Sequence, residues 1–481
     1  MLKIFTCKEK SMKAKISILY SAIALMIIML YLPIPAVTQD RTVHFMVELP
    51  QSNITNPALI PKYPGYIGFP LFSSTYIEFN NSFSYEDLFV KRDNKIYLDR
   101  DALMDNLNDK NYTGIYTQFD LLSFGFSIKK LYLSFRASTR ADVNLFYSKD
   151  FIKLLTYGNG HEDFFGKNTK FTDTKLNSSA YHEMAISGGY QINEKWTAGV
   201  SFRYLLGIAN IYSEKVDCNL TTDPDDYTLT TQTDILIHSS LPVVVSSDGG
   251  SGDDFETADI IGSRNPGFAI DFGATYKPID KLTVSASVLD LGSINWTRNA
   301  RKIYTADPSK EVVFDGLDLN DFVGNGAVNQ DDFNDNLDSI AQLFGIEEAY
   351  ENYKSPLNTK FMVSGTYDLS KKDHVGLMFR SSFVSSHVRP SVTVAYRREL
   401  LRRVSGYASV SAYENAYFNV GFGLIAGIGP VQFYVVNDNL LALFMPRNTK
   451  NYNARFGINF VIGNRDKKTP EPVQAPAETQ F

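Results

Sequence analysis

Six charged residues, Arg136, Glu183, Arg203, Asp271, Arg380 and Arg455, fall on one face of the strand-like segments of this sequence. Side chains of a strand alternate between two faces. These six share the parity of the small and polar residues and lie opposite the aliphatic and aromatic ones. A charge facing lipid at mid-depth costs about 2–4 kcal/mol, so an inward position is favoured if the strands cross a membrane. Gathered inside a closed wall, such charges do one of two things. They pair with one another as a ladder that closes the lumen, or they hold the anionic end of a ligand. Arg can take a carboxylate through two parallel hydrogen bonds. A second cluster, Arg397, Arg398, Arg402 and Arg403, flanks a short turn and reads as a solvated rim.

Other chemistries find less support. The six histidines are His44, His161, His182, His238, His374 and His387, with no pair at i, i+4 and no HExxH. No GxSxG elbow occurs, and a barrel wall offers no strand-to-helix turn for one, although a Ser-His-acid triad can be built from distant positions. Gly249 to Asp254 reads GGSGDD, the start of a calcium-binding repeat. Glu256 stands where an apolar residue belongs, and there is a single copy where stacked copies are needed. Asp315 to Asp321 lacks EF-hand spacing. Cys7 lies in the export region, leaving Cys218 without an intramolecular partner. The expectation is a protein without catalysis, cofactor or metal.

The elements that must carry the six charges are strands. From Ala454 the even positions run Ala454, Phe456, Ile458, Phe460 and Ile462, against Arg455, Gly457, Asn459 and Val461. Phe124, Phe126 and Ile128 alternate with Gly125 and Ser127 in the same way, and so do Phe418 to Ala426. Segments of this kind recur from 66–79 to 452–463, with short turns and longer connections alternating between them. If both ends lie on one side, the strand number is even. Thr228 to His238 would make it odd and is assigned to an outer hairpin. The fold class is then all-β: a single closed antiparallel transmembrane barrel of about fourteen strands.

The chain divides accordingly. Residues 1–40 read as a secretion signal, with Lys13 and Lys15 before an apolar run from Ile16 to Leu32 and a small residue at Ala36; Met12 is an alternative start. Residues 41–64 contain four prolines and little alternation, and are expected to form a hatch in or beneath the lumen. Residues 65–463 form the barrel, and 464–481 a disordered periplasmic tail rich in Pro, Glu and Gln. Leu337 to Phe344 is helix-like within an acidic loop. With 47 basic and 53 acidic residues, nothing points to nucleic acid. Tyr and Phe number 28 and 34 against 2 Trp, a supply of aromatics suited to interfacial girdles.

Three local patterns carry a family resemblance. Asn56-Pro57-Ala58 precedes the first strand. Asp271 to Pro278, DFGATYKP, is followed by Leu289 to Trp296, LDLGSINW. Gly429 to Tyr434, GPVQFY, leads to Asn437-Asp438-Asn439 and then Arg455 to Asn459, RFGIN. Together these resemble an uncharacterised family of Bacteroidota outer-membrane barrels, over nearly the whole mature chain. That family is in turn similar to the long-chain fatty-acid transporter superfamily and to type IX secretion barrels. The resemblance to the transporters implies fourteen strands and a hatch bearing Asn56, Pro57 and Ala58. It also implies a wall kink, for which Asp290-Leu291-Gly292 is the candidate, since Gly in a strand often marks a bulge.

Three functions follow from these readings. The first is a transporter or channel for hydrophobic or amphipathic small molecules, with an apolar pocket below the outer loops. The second is a scaffold for secretion, gliding or surface assembly, partnered by secretion or surface proteins. The third is a barrel enzyme at the lipid boundary. Each would sit in outer-membrane lipid, and the first is preferred.

Overall fold

The computed structural model describes residues 41–172, 174–241, 265–314, 341–384, 387–413 and 416–463. The segment expected to be a secretion signal, the GGSGDD stretch, Asp315 to Asp321, residues 337–340 of the helix-like segment and the tail from 464 lie outside them.

Fourteen antiparallel strands close into one barrel. In chain order they are β1 (Gly65–Gly68 and Thr75–Asn81), β2 (Lys110–Ile128), β3 (Leu131–Ser148), β4 (Lys175–Gln191) and β5 (Trp196–Thr222). Then come β6 (Asn265–Ile279), β7 (Leu282–Trp296), β8 (Tyr353–Pro356 and Lys360–Asp368), β9 (Asp373–Val384) and β10 (His387–Leu401). The last are β11 (Val404–Tyr413), β12 (Ala416–Ile428), β13 (Val431–Asn437) and β14 (Asn451–Ile462). Both pieces of β1 pair with β2 on one side and β14 on the other, which completes the ring. Tight hairpins at one end are made by Lys129 and Gly429, whose φ of 53° and 58° suit two-residue turns between twisted strands.

Two strand expectations need correction. The segment 66–79 is not one strand: residues 69–74 leave the ladder and put Phe69, Leu71 and Phe72 on the outside. Residues 358–369, another of the alternating segments expected to be a whole strand, are the second half of a strand that begins at Tyr353 and breaks at 357–359. The hairpin arm expected at Thr228 to His238 is present as Leu229–Ser240. It pairs with the far end of β5 and carries Ala300–Thr305 and Glu311–Phe314 beyond the wall.

The faces separate as alternation requires. In β14, Arg455 and Asn459 are fully buried while Phe456 and Phe460 are exposed. Phe126, Ile186, Phe202, Phe268, Leu377 and Val394 continue the exposed apolar band around the wall. An apolar exterior over a polar interior is the arrangement of a barrel solvated by lipid.

The interior is filled from the N-terminal side. Helix α1 (Arg41–Phe45) and a 3-10 turn (Pro50–Ile54) lie inside the wall. Val43, Met46 and Leu49 pack on Tyr407, Ile425, Tyr434 and Val436, and Phe45 packs on Met362 and Met378. Polar contacts tie the segment to the wall on several sides. Thr42 N donates to Asp438 at 3.0 Å. His44 bonds Ser364 at 2.7 Å and Thr55 at 2.9 Å. Gln51 exchanges bonds with Asn459 at 2.8 and 3.0 Å. Glu48 pairs with Arg397 and accepts from Tyr407. Arg397 is therefore not part of a solvated rim.

Candidate functional site: a recess above an ionic floor

The Asn56-Pro57-Ala58 turn shows how the filling is seated. Asn56 Oδ1 accepts from Ala58 N at 2.8 Å, and its Nδ2 donates to Ala286 O at 3.1 Å. Pro57 removes a donor and restricts Asn56 to extended backbone, which suits this turn. Beneath it runs a row of directly paired residues, Gly189, Gly199, Gly273 and Ser287, on β4 to β7. A Cβ on Gly199 would overlap Pro57, and one on Gly273 would overlap Asn56 Oδ1. Ser287 Oγ donates to Thr55 O at 2.8 Å. The turn lies against bare wall backbone because glycine leaves room for it.

Next to this turn is a lattice of charges. Glu183 on β4 receives Arg136 at 2.9 Å, Arg140 at 3.2 Å and Arg203 at 3.0 Å. Arg203 also pairs with Asp271, and with Asp290 at 2.5 Å. Asp290 further holds Arg140 at 3.3 Å and Lys360 at 2.6 Å. Three carboxylates thus bind four cations across β3 to β8. Buried ions are tolerated when each finds opposite charge in good geometry.

The structure brings Arg136, Glu183, Arg203 and Asp271 together and leaves two of the predicted residues apart. Arg455 lies on the far side, with Ser74 at 2.6 Å and its guanidinium 4.4 Å above the Tyr76 ring. Arg380 lines the recess described next. Arg140, Lys360 and the ionic role of Asp290 were missed. Arg140 was legible, since it lies four residues from Arg136 on the same parity. Lys360 was hidden because its strand breaks just before it.

Asp290 also marks a defect in the wall. Ile270 pairs with Leu291 and Phe272 with Val288, so two residues of β7 oppose the single Asp271 of β6. This is a β-bulge. Asp290 takes φ 60°, a left-handed conformation that Asp tolerates, and its amide donates to Asp271 at 2.7 Å. On the other side, β7 pairs with β8 at Leu289–Lys360 and again at Ser293–Pro356. Between them, Leu357 N donates to Gly292 O at 3.0 Å, and the rest of 357–359 leaves the ladder.

Toward the long connections, the lattice is the floor of a recess of about 250 Å³. Its sides carry the rings of Tyr76, Tyr112, Tyr116, Tyr181 and Tyr212, the cations Lys360, Arg380 and Arg389, and several amides and hydroxyls. Arg389 lies 3.7 Å over the Tyr112 ring. Leu357, Phe383 and Val384 add an apolar edge beside the wall defect. The pocket is mixed in character, which corrects the expectation of an apolar one. Below it, between Ile54, Thr55 and the lattice, only about 20 Å³ remains, room for roughly one water. Among the described residues no group of three or more His, Cys, Asp or Glu could hold a metal ion.

Comparisons with known proteins come at low identity. The toluene transporter TodX of Pseudomonas putida is 9% identical, with 85% of this chain and 91% of that chain covered and a TM-score of 0.37. The toluene transporter TbuX of Ralstonia pickettii is 9% identical, with 86% and 95% covered and a TM-score of 0.39. A FadL homologue of Pseudomonas aeruginosa is 8% identical, with 89% and 98% covered and a TM-score of 0.40. No curated protein matches the chain. The family of unknown function DUF5723 matches residues 57–438, most of the sequence, and the chain belongs to that family.

Proposed function

We propose that this chain is an outer-membrane barrel that takes a small amphipathic compound into the recess above its ionic floor. The observation that carries this reading is the recess itself. It combines tyrosine rings with guanidinium and amide groups, lies beside the β7–β8 defect and is closed below by residues 41–58. A pure hydrocarbon would leave those polar groups dry and unmatched, whereas a compound with an apolar body and a polar end satisfies both kinds of surface. Its polar end faces Arg380 and Arg389, and its apolar end faces Leu357 and Phe383. Residues 41–64 act as a hatch. The compound leaves sideways between β7 and β8, where the ladder is already interrupted. The apolar outer band supports placement in a membrane, with the short turns at the periplasmic end.

Binding of a labelled long-chain fatty acid to the purified barrel in detergent tests this reading. Saturable binding that Ser179→Trp and Ser382→Trp abolish by filling the recess is the expected result. No saturable binding, together with co-purification of one defined surface or secretion protein, would favour a scaffold instead.

A further inference from the structure

The short-turn end carries a regular pattern that the recess does not use. In its hairpins, the residue just before each returning strand gives its carbonyl to the neighbouring hairpin. Lys130 O accepts from Gln191 N at 2.9 Å, Lys195 O from Lys277 N at 2.9 Å, and Lys281 O from Asp368 N at 2.8 Å. Lys372 O accepts from Glu399 N at 2.9 Å and Arg403 O from Gly427 N at 2.8 Å. Pro430 O and Pro64 O take the two remaining places, accepting from Val461 N at 2.8 Å and Ser127 N at 2.7 Å. One hydrogen-bonded position thus recurs around the whole rim. Its contact is made by the backbone, so the fold sets no requirement on the side chain, yet the residue is Lys or Arg at five of the seven places.

These five side chains are exposed, and exposed Lys129, Lys371 and Arg402 stand next to three of them. Acidic groups on the same turns are fewer. Glu194, Asp280 and Glu399 are present, Asp368 lies against His374 at 2.5 Å, and Asp373 is held by Arg398 at 3.0 Å. Tyr66 and Tyr132 turn inward at this level, and other aromatic residues lie on the outer face. Trp196 follows Lys195, Tyr276 precedes Lys277, and their rings stack at 4.3 Å. Tyr190, Tyr367 and Tyr396 are exposed at the same level. Aromatic rings of this kind mark the boundary between hydrocarbon and head groups. Cations one residue further out, on long flexible stems, reach phosphate depth. At the opposite end the charges are mixed: the tip of the β5 arm carries Asp223, Asp225 and Asp226, and the connection after β1 carries Lys91, Lys95 and Arg100.

We propose that the short-turn rim is a docking collar for the anionic phosphate head groups of phospholipid in the adjoining leaflet. The proposal rests on the barrel lying in a bilayer and not on what the recess binds. The full chain in nanodiscs of phosphatidylcholine, alone or mixed with phosphatidylglycerol, tests it. Lipid retained through detergent extraction should be enriched in phosphatidylglycerol about fivefold over the bulk, the factor one basic residue supplies near an anionic surface. Added salt should reduce the enrichment. The triple variant K130Q/K195Q/K281Q keeps every rim carbonyl and should lose the enrichment. The variant K91Q/K95Q/R100Q, on the long-connection side, should keep it. If the triple variant does not fold, the three single variants carry the same comparison, each losing part of the enrichment. Equal retention of both lipids by the wild type, or enrichment surviving in the variants, overturns the proposal. So does an enrichment that inorganic phosphate abolishes when sodium chloride of equal ionic strength does not, since that identifies a free-anion site.

Discussion

Gly199 lies so close beneath Pro57 that a Cβ there would overlap the Pro57 carbonyl. The inner wall is bare at this point, and the N-terminal segment rests on it.

Gly199→Val should therefore unseat the segment or strain the wall, at a cost of about 1–3 kcal/mol or more, as in other overpacked interiors. Gly365→Ala, where nothing lies within 4 Å, should be close to neutral. Thermal unfolding of the detergent-purified proteins separates the two. Equal midpoints would mean that the turn does not depend on this contact.

Replacing Glu183 by Gln leaves the Arg136, Arg140 and Arg203 guanidinium groups without their shared carboxylate. Breaking a buried pair from one side costs about 3–5 kcal/mol. The expected result is a large fall in the unfolding midpoint, partly restored when Arg140→Met is added. A variant as stable as the parent would show that the lattice is hydrated and weak.

Ile458→Arg puts a cation on the outer face of β14 and should impair assembly by about 2–4 kcal/mol. Asn459→Arg is no neutral control, because Asn459 is buried against Gln51 at 2.8 Å. Ser179→Arg, which opens into the recess, is the suitable one. Comparable folded yields in lipid for Ile458→Arg and Ser179→Arg would contradict the assigned facing.

Glu48→Ala should leave Arg397 half-buried without its carboxylate and Tyr407 without its acceptor. Loss of about 2–4 kcal/mol is expected from the uncompensated groups. Protease cutting within residues 41–64 should become faster as the segment loosens. Unchanged cutting would argue that Glu48 does not hold it.

Much of this architecture is written in local pattern. Period-two alternation specified the strands, and the cost of a charge in lipid oriented Glu183, Arg203, Asp271 and Arg455 inward. The even strand number required by two ends on one side marked Thr228 to His238 as an arm beyond the wall, and the arm stands at Leu229–Ser240. These are properties of a few consecutive residues in a known solvent, so they can be read from the chain alone. Tertiary structure decided what the inward charges meet. Neighbours in the lattice come from strands far apart in sequence, and barrel closure with its register sets their distances. For that reason Arg455 stands apart from Arg203, while Lys360 joins Asp290. Closure also aligned Gly189, Gly199 and Gly273 into one row under Asn56-Pro57-Ala58, which no single strand reveals. The break at 357–359 had the same origin: a bulge in β7 displaces its partner, and β8 records it only in Pro356, which has no N–H to give the ladder.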